Sequence, residues 1–217
     1  MEREELTKLT IALAKGRMQE EAQRLLLRAG IELDETLNGS RRLTAYDRRG
    51  RYRLVFVKPA DVPVYVEHGI ADCGIVGRDV LMEAEADVLQ PLDLGINRCR
   101  IAVAAKGPDD VTRNLGMLRV ATKYPRIAAA HFGRRGIPVE IIELAGSVEL
   151  APVLGLSDCI VDLVETGRTL AENGLQVVEV IAESTGRLVA NRASYQLKAE
   201  AMAELIAALG RASEREG

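Results

Sequence analysis

The chain has 217 residues, 47% of them hydrophobic, enough for one large core or two smaller ones without covalent staples. With 29 Lys and Arg against 32 Asp and Glu, it lacks the broad basic footprint that neutralises a nucleic-acid backbone. No stretch approaches the roughly 20 apolar residues that span a bilayer, and the opening Met1-Glu2-Arg3-Glu4-Glu5 is acidic where an export signal is positive, so no membrane role and a cytoplasmic location are expected.

In chain order, Leu9 to Leu13 reads as a buried strand, followed by Ala14-Lys15-Gly16-Arg17 and a helix with Met18, Ala22, Leu25, Leu26 and Ala29 on one face. Gly30 ends that helix. Leu43 to Tyr46 and Tyr52 to Val57 flank Asp47-Arg48-Arg49-Gly50 as a hairpin. Lys58-Pro59-Ala60-Asp61 opens the next helix, with Asp61 as its expected cap. A strand at Cys73 to Val76, a helix at Arg78 to Ala84 and a strand at Val88 to Leu94 follow. Further strands are expected at Arg100 to Ala105, Arg119 to Thr122, Val139 to Glu143, Cys159 to Leu163, Val177 to Ala182 and Leu188 to Ala190. Helices are expected at Pro125 to Arg135, Ser147 to Leu154 and Thr169 to Asn173, with a last one bearing Leu197, Ala201, Leu205 and Leu209. This alternation predicts an α/β fold with mainly parallel sheet.

One internal echo stands out. Gly69-Ile70-Ala71-Asp72-Cys73 and Gly155-Leu156-Ser157-Asp158-Cys159 share a glycine, an apolar residue, a small residue and Asp-Cys before a strand. Two lobes built alike would follow, each with ligand loops at the carboxyl ends of its strands and a cleft as the default site. Chance similarity of common residue types is the alternative. The expected division is 1–94 with 178–217, against 95–177.

The strongest chemical signal is Asp162-Leu163-Val164-Glu165-Thr166-Gly167-Arg168-Thr169. A strand runs into two hydroxyls, a glycine and a helix start, which is what a phosphate needs, and Asp162 is placed to accept hydrogen bonds from sugar hydroxyls. Thr166 and Thr169 as plain helix caps are the alternative. Lys15, Gly16 and Arg17, then Lys58, then Thr122 and Lys123 occupy similar strand-to-helix corners, and Arg100 opens a strand. Solvated turns are the alternative there. His68 and His131 lack metal-ligand spacing, the three cysteines lie far apart, and no Walker-type loop is present. Cys73, Cys99 and Cys159 are expected as free thiols.

Glu149, Gly155, Ser157, Ile160, Asp162-Leu163, Thr166-Gly167 and Thr169-Leu170, at their spacings, resemble the signature segment of the ATP phosphoribosyltransferases, the first enzymes of histidine biosynthesis. Ala14-Lys15-Gly16-Arg17, Lys58-Pro59, Cys99-Arg100 and Thr122 with Tyr124-Pro125 extend the resemblance along nearly the whole chain.

The resemblance implies a two-lobed, type II periplasmic-binding-protein-like fold with a central cleft. It implies condensation of ATP with 5-phosphoribosyl 1-diphosphate, with Mg2+ carried mainly by the substrate diphosphate and no metal held directly by protein. On that reading Asp162, Glu165, Thr166, Gly167, Arg168 and Thr169 bind the phosphoribosyl group. Lys15, Gly16, Arg17, Gly74, Thr122 and Lys123 are ATP candidates, and Lys15, Arg17, Lys58, Arg100 and Asp162 the catalytic set. Some relatives have arginine where Lys58 stands, so the planar fork for diphosphate is missing here. The chain stops before the histidine-binding domain of longer relatives. The short form implies a homodimer and a hetero-oligomer with a histidyl-tRNA-synthetase-like regulatory subunit. Other phosphoribosyltransferases and a two-lobed solute-binding protein are the rival readings. The former lack the remaining matches, and the latter would carry an export signal.

Overall fold

The computed structural model describes residues 7–33, 43–112 and 116–214; the acidic opening and the end of the polar tail lie outside them. The chain divides into two compact units, residues 1–97 with 185–217, and residues 98–184. These boundaries fall later than the expected 94/95 and 177/178.

Unit 1 starts with β1 (Leu9–Ala14) and α1 (Arg17–Arg28), whose buried face is Met18, Ala22, Leu25 and Leu26. The hairpin follows as β2 (Thr44–Tyr46) and β3 (Tyr52–Val57). Its turn is held by the buried Asp47, whose carboxylate accepts the Tyr52 and Arg49 amides at 2.6 and 3.2 Å. Next come α2 (Asp61–Glu67), β4 (Cys73–Gly77), α3 (Arg78–Ala84) and β5 (Leu89–Asp93). Asp61 opens α2 but does not cap it: Ala60 holds the cap position and no side chain bonds there.

Unit 2 contains β6 (Cys99–Ala105), α4 (Asp109–Thr112), β7 (Leu118–Thr122), α5 (Pro125–Arg134) and β8 (Val139–Glu143). It continues with α6 (Leu150–Val153), β9 (Cys159–Val164), α7 (Arg168–Glu172) and β10 (Gln176–Ser184). α6 is shorter than the expected 147–154 helix because Ser147 takes a left-handed conformation, φ 50°. β10 stays paired with β6 as far as Ser184 opposite Cys99, which moves the unit boundary from the expected 177/178 to 184/185.

The chain then completes unit 1 with β11 (Gly186–Ala190), α8 (Arg192–Leu197) and α9 (Ala199–Ser213). The single expected C-terminal helix is broken at Lys198, φ −114° and ψ 36°. Leu197 is consequently 71% exposed, while Leu205 and Leu209 are buried in the core of unit 1. The break has a use: Lys198 Nζ donates to Asp72 Oδ2 and to the Lys8 carbonyl, both at 2.9 Å.

Each unit has one sheet, in the orders β2-β3-β1-β4-β11-β5 and β10-β6-β9-β7-β8. The sheets are mixed, not mainly parallel. β3, β1 and β4 are parallel to one another, as are β8, β7 and β9, but β11 runs antiparallel to β4 and β6 antiparallel to β9. The strands that follow each crossing enter the sheet beside the parallel trio and in the opposite direction. Read outward from β8, unit 2 repeats unit 1 strand for strand apart from β2.

The echo in sequence falls on equivalent places. Gly69 and Gly155 both take a left-handed conformation, φ 70° and 79°, after α2 and α6. Asp72 Oδ2 accepts the Thr10 amide at 2.7 Å, and Asp158 Oδ2 accepts the Arg119 amide at 2.8 Å. Thr10 and Arg119 are the second residues of β1 and β7. Each carboxylate therefore fastens the amino end of the central strand to the strand that follows it, and each pairs with a cation, Lys198 at 2.9 Å and Arg119 at 2.8 Å.

Candidate functional site

The carboxyl ends of the parallel strands carry the predicted site residues, unit by unit. In unit 1, Ala14 is paired with Val57, and the Lys15 amide donates to the Val57 carbonyl at 2.8 Å. Lys15-Gly16-Arg17 and Lys58 thus leave adjacent strands side by side, all four exposed. Gly16 precedes α1 at φ 89° and ψ −148°, a region open essentially to glycine alone. Arg17 lies 3.6 Å from Glu21, whose other oxygen accepts the Asn97 amide at 2.5 Å. That contact was not foreseeable from the sequence, since Asn97 is remote from α1 in the chain.

Gly74 belongs elsewhere. It is buried in mid-β4, where an added Cβ would lie 2.8 Å from a Val62 methyl and 3.0 Å from the Ala12 carbonyl. Its lack of a side chain lets α2 pack closely on the sheet.

In unit 2 the site is more concentrated. Asp162 is the fourth of six residues in β9, which runs one residue beyond the expected end at Leu163. The β7 ladder ends one residue before Asp162, at Thr122 opposite Val161, so Asp162 overruns its neighbour on that side while staying paired with Ala102 of β6. Lys123, the first residue past β7, places Nζ 3.1 Å from Asp162 Oδ1 and 5.5 Å from the centre of the Tyr124 ring. The contact is an ion pair outside hydrogen-bonding geometry, and Oδ1, shielded from solvent, makes no hydrogen bond. A donor arriving at that oxygen would find an open acceptor.

Thr122 departs from expectation. Its side chain is fully buried, with Oγ1 donating to the Val161 carbonyl at 2.6 Å and accepting the Tyr124 amide at 2.8 Å. The hydroxyl thus donates once and accepts once inside the protein.

Beyond β9, Glu165, Thr166, Arg168 and Thr169 are exposed. Gly167 at φ 77° leads into α7, which begins at Arg168, one residue before the expected start. The capping alternative fits poorly. No side-chain cap bond is made at Gly167, Thr166 Oγ1 only accepts the Arg168 amide at a long 3.4 Å, and Thr169 is already inside the helix. Arg168 pairs with Glu172 at 2.8 Å. Arg100 is exposed on β6 and lies opposite Val164, the last residue of β9, so a cation flanks the point where this loop departs.

A concavity of about 410 Å³ lined by Lys106, Arg119, Ser157 and Asp158 lies at the opposite, amino end of β7 and β9. Burial pushes the Cys159 thiol up to about 12 and raises that of Cys73, so neither is a nucleophile. The three cysteines are free. Among the described residues no group of three or more His, Cys, Asp or Glu is placed to hold a metal, and no helix is long and apolar enough to cross a membrane.

The family model described as ATP phosphoribosyltransferase matches residues 58–211, which take in the whole of unit 2 and its carboxyl-edge loop. The chain belongs to the ATP phosphoribosyltransferase family. It is similar to the ATP phosphoribosyltransferase of Sorangium cellulosum, 50% identical over 209 residues covering 96% of this chain and 98% of the relative. It is also similar to that of a Geobacillus species, 52% identical over 198 residues covering 91% and 95%.

Among solved structures it resembles the ATP phosphoribosyl transferase (HisG:HisZ) complex from Thermotoga maritima, with a TM-score of 0.84 and 35% identity over 95% of this chain and 99% of that one. A TM-score of 0.60 to the periplasmic aliphatic sulphonate binding protein SsuA of Escherichia coli, at 13% identity over 95% of this chain and 72% of that one, shows a shared fold and no more. The periplasmic-binding-protein-like α/β fold expected from the family resemblance is the fold found.

Proposed function

We infer that this chain joins ATP to 5-phosphoribosyl 1-diphosphate, giving N1-(5-phosphoribosyl)-ATP and diphosphate, the first step of histidine biosynthesis. The observation that carries the residue assignments is the gathering of Asp162, Lys123, Arg100 and the 165–169 loop at one edge of one sheet. Thr166 and Thr169, with the backbone of Glu165, Gly167 and Arg168, hold the 5-phosphate, and Asp162 accepts hydrogen bonds from the ribose hydroxyls. Lys123 and Arg100 offset the charge of the diphosphate. Lys15, Gly16 and Arg17 hold the phosphates of ATP, and Lys58, leaving the adjacent strand, adds a catalytic cation.

The chemistry asks for no protein nucleophile. The lone pair of adenine N1 attacks the anomeric carbon while the bond to diphosphate oxygen breaks, and the exocyclic amino group then gives up a proton. The protein holds two polyanions in line and neutralises the leaving group. Magnesium, when present, would add positive charge to the diphosphate. The ion is assigned to the substrate diphosphate, as the family resemblance implies.

The Thermotoga relative is a HisG:HisZ complex, which supports a hetero-oligomer with a regulatory subunit for this chain too. The histidyl-tRNA-synthetase-like character of that subunit, a homodimer of this chain and a cytoplasmic location are carried into the same reading from the family resemblance. The test supplies ATP, the activated ribose and magnesium with and without such a partner, and follows product absorbance. Product is expected, in greater amount with the partner. Its absence under both conditions overturns the activity. Inhibition by histidine without the partner overturns the short-form assignment.

A further inference from the structure

The hydroxyl of Thr122 stands where two strands stop pairing. Thr122 and Val161 are the last register pair of the parallel β7 and β9. One residue beyond on β9 is Asp162, and one residue beyond on β7 is Lys123, the two ends of the 3.1 Å ion pair. Thr122 Oγ1 donates to the Val161 carbonyl, whose peptide carries the Asp162 amide, at 2.6 Å. It accepts the amide of Tyr124, which follows Lys123, at 2.8 Å. A single buried hydroxyl therefore adds a rung to the ladder after the backbone rungs have ended, with one hand on each side of the pair.

We propose that Thr122 is a positioning residue: its hydroxyl fixes the Lys123–Asp162 pair, and the Tyr124 ring beside Lys123, in the arrangement that receives the activated ribose. The physical need is plain. Beyond the last rung, parallel strands are free to splay, and an ion pair between a half-exposed lysine and a mostly buried carboxylate has no geometry of its own to hold it. Two short hydrogen bonds in a fully buried setting supply that geometry, and a β-branched side chain restricted at χ1 keeps the hydroxyl aimed. A serine can make both bonds. A valine fills nearly the same space and makes neither.

This inference rests on the assignment of Asp162 to the ribose, so the experiment separates the two. Binding of 5-phosphoribosyl 1-diphosphate with magnesium to the whole chain is measured by titration calorimetry, and protection of the Tyr124 amide by hydrogen exchange. Thr122→Val is expected to weaken binding about tenfold and to deprotect the Tyr124 amide. Thr122→Ser should stay within about twofold of wild type in both. Should Thr122→Val not fold, Thr122→Ala is read in the same way.

In an Asp162→Ala background the Thr122 substitution should have no further effect on binding. Unchanged binding in Thr122→Val, with only the Tyr124 amide or the melting temperature altered, would make the hydroxyl a structural bond and nothing else. An undiminished effect in the Asp162→Ala background would also overturn the proposal. If Asp162→Ala itself binds as wild type, the ribose assignment fails instead. The clamp is then decided on Lys123→Ala: loss of the Thr122 effect in that background keeps it, and persistence ends it.

Discussion

The two units run the same strand plan and end it differently. At the amino edge of each sheet an aspartate, Asp72 or Asp158, fastens the central strand to the next and pairs with a cation, in nearly the same geometry. At the carboxyl edge the units share little. Unit 1 offers exposed cations on two adjacent turns, and unit 2 a mostly buried carboxylate, a paired lysine and a hydroxyl-bearing loop. The amino edge is spent on holding the sheet together, and the carboxyl edge is left for ligands.

The deepest break should come at the amino edge of unit 1. Asp72 is buried, and its removal leaves the Thr10 amide without its partner and the mostly buried Lys198 ammonium without a counter-charge, holding only the Lys8 carbonyl. Asp72→Ala is expected to cost about 3 kcal/mol of unfolding free energy in denaturant titration. If the two edges divide labour as stated, ligand affinity of the fraction that stays folded should be unchanged.

The converse experiment is at the carboxyl edge of unit 2. Thr166→Ala with Thr169→Ala should weaken binding of the activated ribose about 100-fold, at ~1.4 kcal/mol per tenfold and roughly one lost hydroxyl bond each. Melting without ligand should be close to wild type, since neither hydroxyl caps α7. Unchanged affinity with a lowered melting temperature would place the phosphate site elsewhere. The same cut made at the amino edge of unit 2, Asp158→Ala, should cost less than Asp72→Ala, about 1 to 2 kcal/mol, because Arg119 is 41% exposed and keeps the Gly155 and Leu156 carbonyls.

The smallest difference is in pH response. α1 buries only apolar residues, whereas α5 buries His131, whose ring lies 3.4 Å from Glu179. Burial holds this imidazole below its ordinary value, the nearby Glu179 opposing and Arg135 assisting. The unfolded chain therefore takes up the proton first. Stability is fully present above about pH 6.5 and falls as the pH drops toward the lower folded value. His131→Gln should flatten the acid limb of a melting-temperature profile between about pH 5 and 7. An unaltered limb would move the response to other groups.

These comparisons also mark what the sequence carried. The Asp47 turn, the α1 stripe and the Gly-x-x-Asp-Cys echo were readable because each is set by neighbours in the chain. Strand direction was not. Nothing local in β11 or β6 records that each runs against the parallel trio, because direction is imposed by the crossing that precedes it.

Site residues divide in the same way. The exposure of Lys15, Arg17, Lys58 and the 165–169 loop follows from their place after buried strands. The inward turn of Thr122 and the mid-strand place of Asp162 depend on where β7 stops relative to β9, a register that no single segment contains. Gly74 entered the site only through the family resemblance, and the close packing of α2 over it is a tertiary contact that its own segment does not record.

The order of strands in unit 1 bears on how the chain emerges from the ribosome. β11 lies between β4 and β5, so those two strands have no direct bond to each other, and the sheet keeps an open slot until residues 186–190 have been made. Unit 2 is continuous from 98 to 184 and has all its strands by then. During synthesis the later-starting unit can close first, while the earlier one waits with β4 and β5 exposed edge to edge. A stall or truncation between Ser184 and Ala190 would release a chain with one finished unit and one unzipped sheet, the state in which a chaperone or a second nascent copy would find an unpaired strand to bind.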